Sequence, residues 1–111
     1  ALLGFSQPES LNLWPLLDDD GQPLHIRPEI RSSSGETLRQ LALQGAGIVC
    51  LSDFMTSADR AAGCLEELLA DRTLEVRQPI NAVYYRNTAV SVRIRSFVDY
   101  VRERLRDAPL W

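Results

Sequence analysis

The chain has 111 residues, of which 45% are hydrophobic and 24% are charged, a composition typical of one folded domain or of part of a larger protein. It holds enough apolar residues to bury a core, so wholesale disorder does not fit. No stretch approaches the ~20 consecutive apolar residues that span a bilayer, and no N-terminal segment resembles a signal peptide. We therefore expect a cytoplasmic protein without a membrane segment.

The basic residues are all arginines, and their distribution is uneven although the formal net charge is only −3. Residues 1–85 hold six arginines against twelve acidic residues, whereas residues 86–111 hold six arginines against three. Binding of duplex DNA relies on many cationic side chains that neutralise phosphates, so the acidic segment of residues 1–85 is not expected to bind DNA by itself. The arginine-rich end is interpreted as a solvated helix face, with an electrostatic binding surface as the alternative.

The two cysteines and the single histidine do not indicate a metal site or a catalytic triad. Cys50 and Cys64 match no zinc-binding spacing, and we expect both to be reduced and buried, as in a cytosolic protein. His25 is the only histidine, which removes most histidine-based metal sites and weakens any catalytic triad. The sequence predicts neither a metal nor another cofactor.

Five segments are predicted to be strands. The apolar run at residues 2–5 indicates a buried strand, and residues 24–31 indicate a second one, with Pro28 marking an edge or a bulge. Residues 48–51 form a continuous apolar run, typical of a strand covered on both faces. Weaker alternation predicts a short strand at residues 65–69, and residues 79–86, with two tyrosines, predict the last.

Three helices are predicted between and after these strands. Serines 32–34 followed by Glu36 supply an N-cap and an acidic first turn, and Gly45 and Gly47 supply the stop. A second helix is expected from a cap at Asp53 to residue 62, and a long amphipathic helix with apolar positions from Val90 to Leu105. The order strand, helix, strand predicts a parallel crossover, and the whole pattern predicts an α/β fold with a mostly parallel central sheet flanked by helices.

Catalysis is poorly supported by the residue pattern. Candidate nucleophiles exist at Ser33, Ser52 and Cys50, but spacing identifies no base that could activate them. The acidic turn at residues 18–21 lacks the alternating ligands and the distal glutamate of a calcium loop. The Gly-Ala-Gly run at residues 45–47 ends a helix instead of opening one, so it is not a phosphate loop.

A binding site is better supported, at the start of the first helix. Three serines precede this helix directly after a strand, and its free N–H groups and positive dipole end suit a carboxylate or another small anion. Ligands of parallel sheets lie beyond the carboxyl ends of the strands, where this loop would meet the loop at Ser52 and Asp53. An ordinary helix cap with extra serines is equally consistent with the pattern.

The ordered set of segments resembles the effector-binding domain of LysR-type transcriptional regulators. Residues 32–54 combine a serine-led helix, a Gly-x-Gly turn, an aliphatic strand and a Ser-Asp-Phe loop. The resemblance covers nearly the whole chain and also rests on outlying features: Leu3-Gly4-Phe5, Trp14, Gly63-x-Leu65, Ala82-Val83-Tyr84-Tyr85 and the closing helix Arg95-Ser96-Phe97-Val98-Asp99-Tyr100-Val101.

This resemblance implies a periplasmic-binding-protein-like lobe and a division of the chain. Residues 1–78 would form the second lobe of the effector-binding domain, and residues 79–111 the strand and helix that return to the first lobe. The winged helix-turn-helix that binds promoter DNA would lie outside this chain. The regulator would sense a small-molecule effector in the cleft between lobes, without being an enzyme, and would assemble as a homodimer or tetramer.

The resemblance also implies site residues. Effector-binding positions would be Ser32, Ser33, Ser34, Ser52 and Phe54, with Ser33 as the hydroxyl donor and Ser34 as the helix cap. Hinge positions would be Ser6, Gln7, Gln78 and Pro79. Two alternatives remain open: a lobe of a periplasmic-type solute-binding protein, and a small hydrolase that uses Ser33 or Cys50.

Overall fold

The computed structural model describes residues 1–85 and 91–107. Contacts divide the chain into two units, Ala1–Val76 and Arg77–Trp111, which are described separately. Within the described residues, no helix combines the length and the apolar character that crossing a membrane requires.

The first unit contains most of the regular structure. Its elements, in chain order, are β1 (Leu2–Phe5), a 3-10 turn (Glu9–Asn12), β2 (Leu13–Leu17), β3 (Pro23–His25), β4 (Ile30–Ser32), α1 (Gly35–Leu43), β5 (Ile48–Val49) and α2 (Asp53–Ala61). β1 lies between β4 and β5 and is parallel to both, whereas β2 and β3 form a separate antiparallel hairpin. The predicted parallel arrangement of strand, helix and strand is therefore confirmed, with β1 inserted between the two crossover strands.

α1 begins and ends where its sequence predicts. Ser34 is the N-cap, and its side chain accepts a hydrogen bond from the N–H of Thr37 at 3.3 Å. Gly45 follows the helix with a φ of +76°, in the left-handed region that side chains disfavour. The side chain of Leu38 is fully buried, so this position anchors the helix to the core.

The core of the first unit is small, and one of its members is polar. Leu3, Trp14, Ile26 and Leu38 are the buried hydrophobic side chains among the described residues. Asn12 is also fully buried, and its amide serves β1 as a neighbouring strand would. Its Oδ1 accepts from the N–H of Phe5 at 2.8 Å, and its Nδ2 donates to the carbonyl of Phe5 at 2.9 Å. A short polar side chain thereby completes the hydrogen bonding at the end of the central strand.

α1 and α2 are connected by an ion pair. The guanidinium of Arg39 donates to both carboxylate oxygens of Asp59, at 2.6 and 2.8 Å, and also to Glu36 at 2.8 Å. The hydrogen bonds from Arg39, together with its positive charge, lower the pKa of Asp59 below the ordinary 3.8 and raise that of Arg39. The two helices are thus held by a pair that requires an ionised carboxylate.

Two predicted strands of the first unit need correction. Residues 24–31 were expected to form one strand, but they form the end of β3 and the start of β4, which belong to different sheets. Pro28 lies between them, buried, and cannot donate to a ladder. Residues 65–69 form no strand: Leu69 has a φ of +56°, and the N–H groups of Arg72 and Thr73 bond to its carbonyl in a turn.

The predicted strand at residues 48–51 is shorter and less covered than expected. β5 includes only Ile48 and Val49, and Ile48 is 44% exposed. The prediction of a strand covered on both faces is therefore wrong. β5 is instead a short strand at one edge of the three-stranded sheet. The cysteines are free, but only partly buried: Cys50 is half-buried, and Cys64 is exposed beyond α2, contrary to expectation.

The second unit contains one long helix among its described residues. α3 spans Val92–Arg106 and is capped by Ser91, whose hydroxyl accepts from the N–H of Ile94 at 3.3 Å. The prediction of a long closing helix is confirmed, although Val90 lies outside the described residues. The predicted strand at residues 79–86 is wrong for residues 79–85, which have no strand structure, while Arg86 lies outside the described residues.

The apolar face of α3 is not buried within the described residues. Phe97 is 67% exposed, and Val98, Val101 and Leu105 are only half-buried. The periodicity of apolar residues correctly predicted the helix α3. The predicted strand at residues 79–85 does not form because a strand exchanges hydrogen bonds with a neighbouring strand, and no described residue pairs with this segment.

Replacement of Asn12 by alanine should strongly destabilise the first unit. It leaves the N–H and carbonyl of Phe5 without their partner and opens a small cavity, at an expected cost of about 2–3 kcal/mol. Urea unfolding of Asn12→Ala measures this loss. The matched control is Ser10→Ala, an exposed position on the same 3-10 turn. Equal stabilities of the two variants would contradict the assigned role of the amide.

The Arg39–Asp59 pair should make stability depend on pH on the acid side. Because the folded-state pKa of Asp59 is depressed, its contribution is present above the unfolded pKa near 3.8 and is lost as the pH falls through the lower folded value. We expect Asp59→Asn to be less stable than the wild type at pH 7, with the gap closing below pH 3.8. Urea titrations across this range test the trend, with exposed Asp19→Asn as control. A gap that is constant with pH would argue against the ion pair.

Candidate functional site

The predicted binding residues follow the carboxyl ends of two adjacent parallel strands. In the register of the sheet, Phe5 at the end of β1 lies opposite Ser32 at the end of β4. The N–H of Ser6 donates to the carbonyl of Ser32 at 3.0 Å, which extends the ladder by one residue. The structure therefore brings together the loop of Ser32, Ser33 and Ser34 and the start of the segment at Ser6, at the edge where α/β sheets bind ligands.

The three serines of this loop have different hydrogen bonds. The hydroxyl of Ser32 accepts from the N–H of Ser34 at 3.1 Å, and the hydroxyl of Ser34 accepts from the N–H of Thr37 at 3.3 Å. Ser33 is exposed, and its hydroxyl makes no hydrogen bond to the described part of the chain. Of the three, only Ser33 has a hydroxyl that is uncommitted, while the other two shape the loop and cap the helix.

The pairing of β5 with β1 ends before the end of β1, and beyond that point the side chain of Asn12 hydrogen-bonds with β1 instead. β5 pairs only with Leu2 and Leu3. Backbone groups alternate in direction along a strand, so Phe5 presents its N–H and carbonyl to the side that β5 has left. The amide of Asn12 satisfies both groups there. The chain after β5 can therefore turn away from β1 without leaving the N–H and carbonyl of Phe5 unpaired.

The N-cap of α2 is Ser52, whereas the sequence predicts Asp53 as the cap. The side chain of Ser52 makes no capping hydrogen bond. Asp53 is instead the first helical residue, and its carboxylate accepts a hydrogen bond from Arg60. Phe54 follows with 48% of its surface exposed. Ser52 is thus half-buried with a hydroxyl that does not cap the helix, and the ring of Phe54 is half-exposed.

Two apolar side chains that the sequence analysis did not single out border the first turn of α1. A Cβ built on Gly35 would lie 3.1 Å from Cε of Met55, 3.5 Å from its sulfur and 3.6 Å from Cζ of Phe5. Gly35 therefore lies beneath Met55 and Phe5, which come from α2 and β1. Their sequence signal is positional only: Phe5 ends the first apolar run, and Met55 falls in the first turn of the second predicted helix.

The charges around this edge are largely paired. One carboxylate oxygen of Glu9 lies 3.1 Å from Nε2 of His25, the other lies 3.5 Å from Arg31, and Asn12 donates to the first at 3.2 Å. Hydrogen bonds from Asn12 and His25 lower the pKa of Glu9. A hydrogen bond from Gln40, followed by the charge of Arg39, lowers that of Glu36 in α1. Both acids are therefore held as anions by neighbours within the fold.

The predicted hinge residues belong to different units. Ser6 and Gln7 follow β1 in the first unit, where Ser6 is paired to β4 and Gln7 is exposed. Gln78 and Pro79 come two and three residues after Val76, with which the first unit ends. Their action as hinges stays a prediction.

The structure gives no support to metal or nucleophilic chemistry in its described residues. Across residues 1–85 and 91–107, no three histidine, cysteine or acidic side chains are grouped so that they could hold a metal ion. Burial raises the pKa of the Cys50 thiol, which disfavours the reactive thiolate. His25, the base that a serine nucleophile would use, is engaged by Glu9.

Comparisons with known proteins bear on the family of the chain. Residues 1–106 match the family described as the LysR substrate binding domain. The chain is 52% identical over 103 residues to the HTH-type transcriptional regulator CrgA of Neisseria meningitidis serogroup B, covering 93% of this chain and 34% of that protein. It is 31% identical over 94 residues to the HTH-type transcriptional regulator DmlR of Escherichia coli K12, covering 82% of this chain and 29% of that protein.

Solved structures agree on the fold. The regulatory domain of CrgA, a LysR-type transcriptional regulator from Neisseria meningitidis, superposes with a TM-score of 0.87 at 51% identity, covering 94% of this chain and 51% of that one. A second structure of CrgA gives a TM-score of 0.86 and covers 35% of its chain. The chain thus spans about a third of the length of the curated relatives that it matches. On the match over residues 1–106 and the 52% identity, the chain belongs to the LysR substrate-binding domain family.

Proposed function

We propose that this chain is the part of a LysR-type transcriptional regulator that binds a small-molecule effector through the serine loop. The observation that carries the proposal is the free hydroxyl of Ser33, which projects from the carboxyl edge of a parallel sheet at the N-terminus of α1. Ser52 provides a second free hydroxyl at the N-terminus of α2. Hydroxyl donors, unpaired helical N–H groups and two dipoles of the same sign together favour a carboxylate or another small anion.

The apolar side chains beside the loop suit the remainder of such a molecule. Met55 and Phe5 both lie next to Gly35, and the half-exposed Phe54 belongs to the same turn of α2 as Met55. A small organic acid would place its charged group at the serines and its carbon skeleton against these side chains. Binding pockets for small molecules combine this kind of apolar lining with a few polar groups.

We propose the domain organisation that the sequence implied. Residues 1–78 form one lobe, and residues 79–111 form the strand and helix that belong to the first lobe of the whole regulator. Ser6, Gln7, Gln78 and Pro79 act as the hinges at which the chain passes between lobes. The division of contacts after Val76 supports this boundary. Closure of the lobes on the effector would change the shape of the regulator, provided that the effector binds the closed form more tightly.

The partners of the whole protein follow from its family. We propose that the regulator works in the cytoplasm as a homodimer or tetramer, without a membrane, and contacts promoter DNA through a helix-turn-helix outside these 111 residues. The proposed role is binding and not catalysis. In its support, Ser33 makes no hydrogen bond to a histidine or carboxylate in the described residues, and Cys50 is disfavoured as a thiolate.

The anion preference can be tested on this chain directly. We expect sodium acetate to shift the backbone amide resonances of Ser33, Gly35 and Glu36, since Gly35 and Glu36 supply the N–H groups of the first turn of α1 and Ser33 would contact the anion. Acetamide, which is neutral and of similar size, should leave them unchanged, as should sodium chloride at equal ionic strength. The measurement is an NMR titration of ¹⁵N-labelled protein. Equal shifts with acetate and acetamide would defeat the anion assignment.

The role of Ser33 can be tested in the complete regulator. We expect Ser33→Ala to weaken the transcriptional response to the regulator's inducer about 10–100-fold, the loss of one hydrogen bond to a charged group, while binding to operator DNA is unchanged. A reporter assay measures the response to the inducer, and a DNA-binding assay measures the affinity for operator DNA. Ser57→Ala, an exposed serine within α2, is the matched control. An unchanged inducer response, or a loss of operator binding, would contradict the assignment.

A further inference from the structure

α1 and α2 are joined at two levels that are one helical turn apart. At the first level, Gly35 of α1 lies against Met55 of α2. At the second, Arg39 of α1 binds Asp59 of α2 through both carboxylate oxygens. Both partners advance by four residues from one level to the next, so the helices run side by side in the same direction. Their N-termini, with Ser34 and Ser52 at the N-cap positions, therefore lie at the same end of the pair.

The contact at the first level cannot set the spacing of the helices by itself. It joins a glycine to the end of a methionine side chain, which has three rotatable bonds and adapts to gaps of different shape. A shift of one helix against the other by a fraction of an ångström would be absorbed by a change in the Met55 rotamer. The spacing must therefore be defined by a more directional contact.

The Arg39–Asp59 pair has that directionality. The planar guanidinium places Nε and one terminal nitrogen on the two oxygens of Asp59, at 2.6 and 2.8 Å, an arrangement that constrains both distance and angle. The side chains are only 23% and 13% exposed, so solvent and salt screen the pair less than an open surface pair. Glu36 holds the same guanidinium from within α1, which restricts its rotamer further.

We propose that Arg39 and Asp59 are positioning residues that set the distance between the two helix N-termini at the effector site. Neither residue touches the ligand. They act through α1 and α2, at whose N-termini Ser33 and Ser52 would contact one anionic group. The inference rests on the proposed function, because it concerns the affinity of that same site.

The affinity of the site for acetate tests the inference, with the NMR titration of the whole 111-residue chain. Asp59→Asn keeps the shape of the side chain and loses its charge, whereas Arg39→Lys keeps the charge and loses the two-pronged contact. We expect each substitution to raise the Kd for acetate about fivefold, the size of one dipole contribution that is lost through misalignment. Asp59→Glu, which can still bind the guanidinium with two oxygens, should restore most of the affinity.

A control variant and a stability measurement separate positioning from general loss of structure. Glu67→Gln removes the exposed partner that lies 3.3 Å from Arg60 and leaves the contact between α1 and α2 intact, so its Kd should equal that of the wild type. Urea unfolding identifies the fraction of each variant that is folded. Should Asp59→Asn fail to fold, Arg39→Lys, which retains an ion pair, decides the result.

The possible outcomes are distinct. If the wild type binds acetate at Ser33 and the first turn of α1 while folded Arg39→Lys binds it equally well, the positioning role is wrong and the proposed site stands. If acetate shifts no amide of the loop even in the wild type, the proposed anion site itself is wrong, and the inference falls with it. Weaker binding by the folded variants, with recovery in Asp59→Glu, supports the inference.

Discussion

The fold of the first unit depends on the side-chain amide of Asn12. A parallel strand at the centre of a sheet needs hydrogen-bonding partners along both edges, yet β5 accompanies β1 only over Leu2 and Leu3. The amide of Asn12 binds the N–H and carbonyl of Phe5 where β5 has departed. Since unpaired buried backbone groups are costly, this one side chain allows β5 to end early at the edge where the proposed ligand would lie.

The same side chain links the end of β1 to the charges beneath the serine loop. Asn12 donates to Glu9, whose carboxylate also contacts His25 in β3 and Arg31 in β4. Arg31 immediately precedes Ser32, so this cluster lies at the base of the loop. The contacts to His25 and Arg31 are open to solvent, and each contributes little by itself. The buried amide of Asn12 therefore contributes more to the stability of this region than the exposed contacts of Glu9 do.

The geometry of the proposed site would depend on how α1 and α2 are joined. The small contact of Gly35 allows α2 to approach α1, and the Arg39–Asp59 pair defines where it stops. Ser34 uses its hydroxyl to cap α1, whereas Ser33 and Ser52 keep theirs free. The N-terminus of α1 is therefore capped by Ser34, while Ser33 and Ser52 keep hydroxyls that the proposed ligand binding could use.

The sequence by itself determined the α/β class, the extent of α1 from its serine cap to Gly45, the existence of α2 and α3, and the serine loop as the candidate site. These are local properties, because capping, glycine conformation and apolar periodicity act within a few residues. Only the tertiary structure decided that residues 24–31 divide between two sheets, that β5 is a short edge strand and that residues 65–69 form no strand. It also decided the roles of Asn12, Met55 and Asp59. Each of these depends on which distant segment supplies the partner for a hydrogen bond or an ion pair, and spacing along one chain does not encode that choice locally.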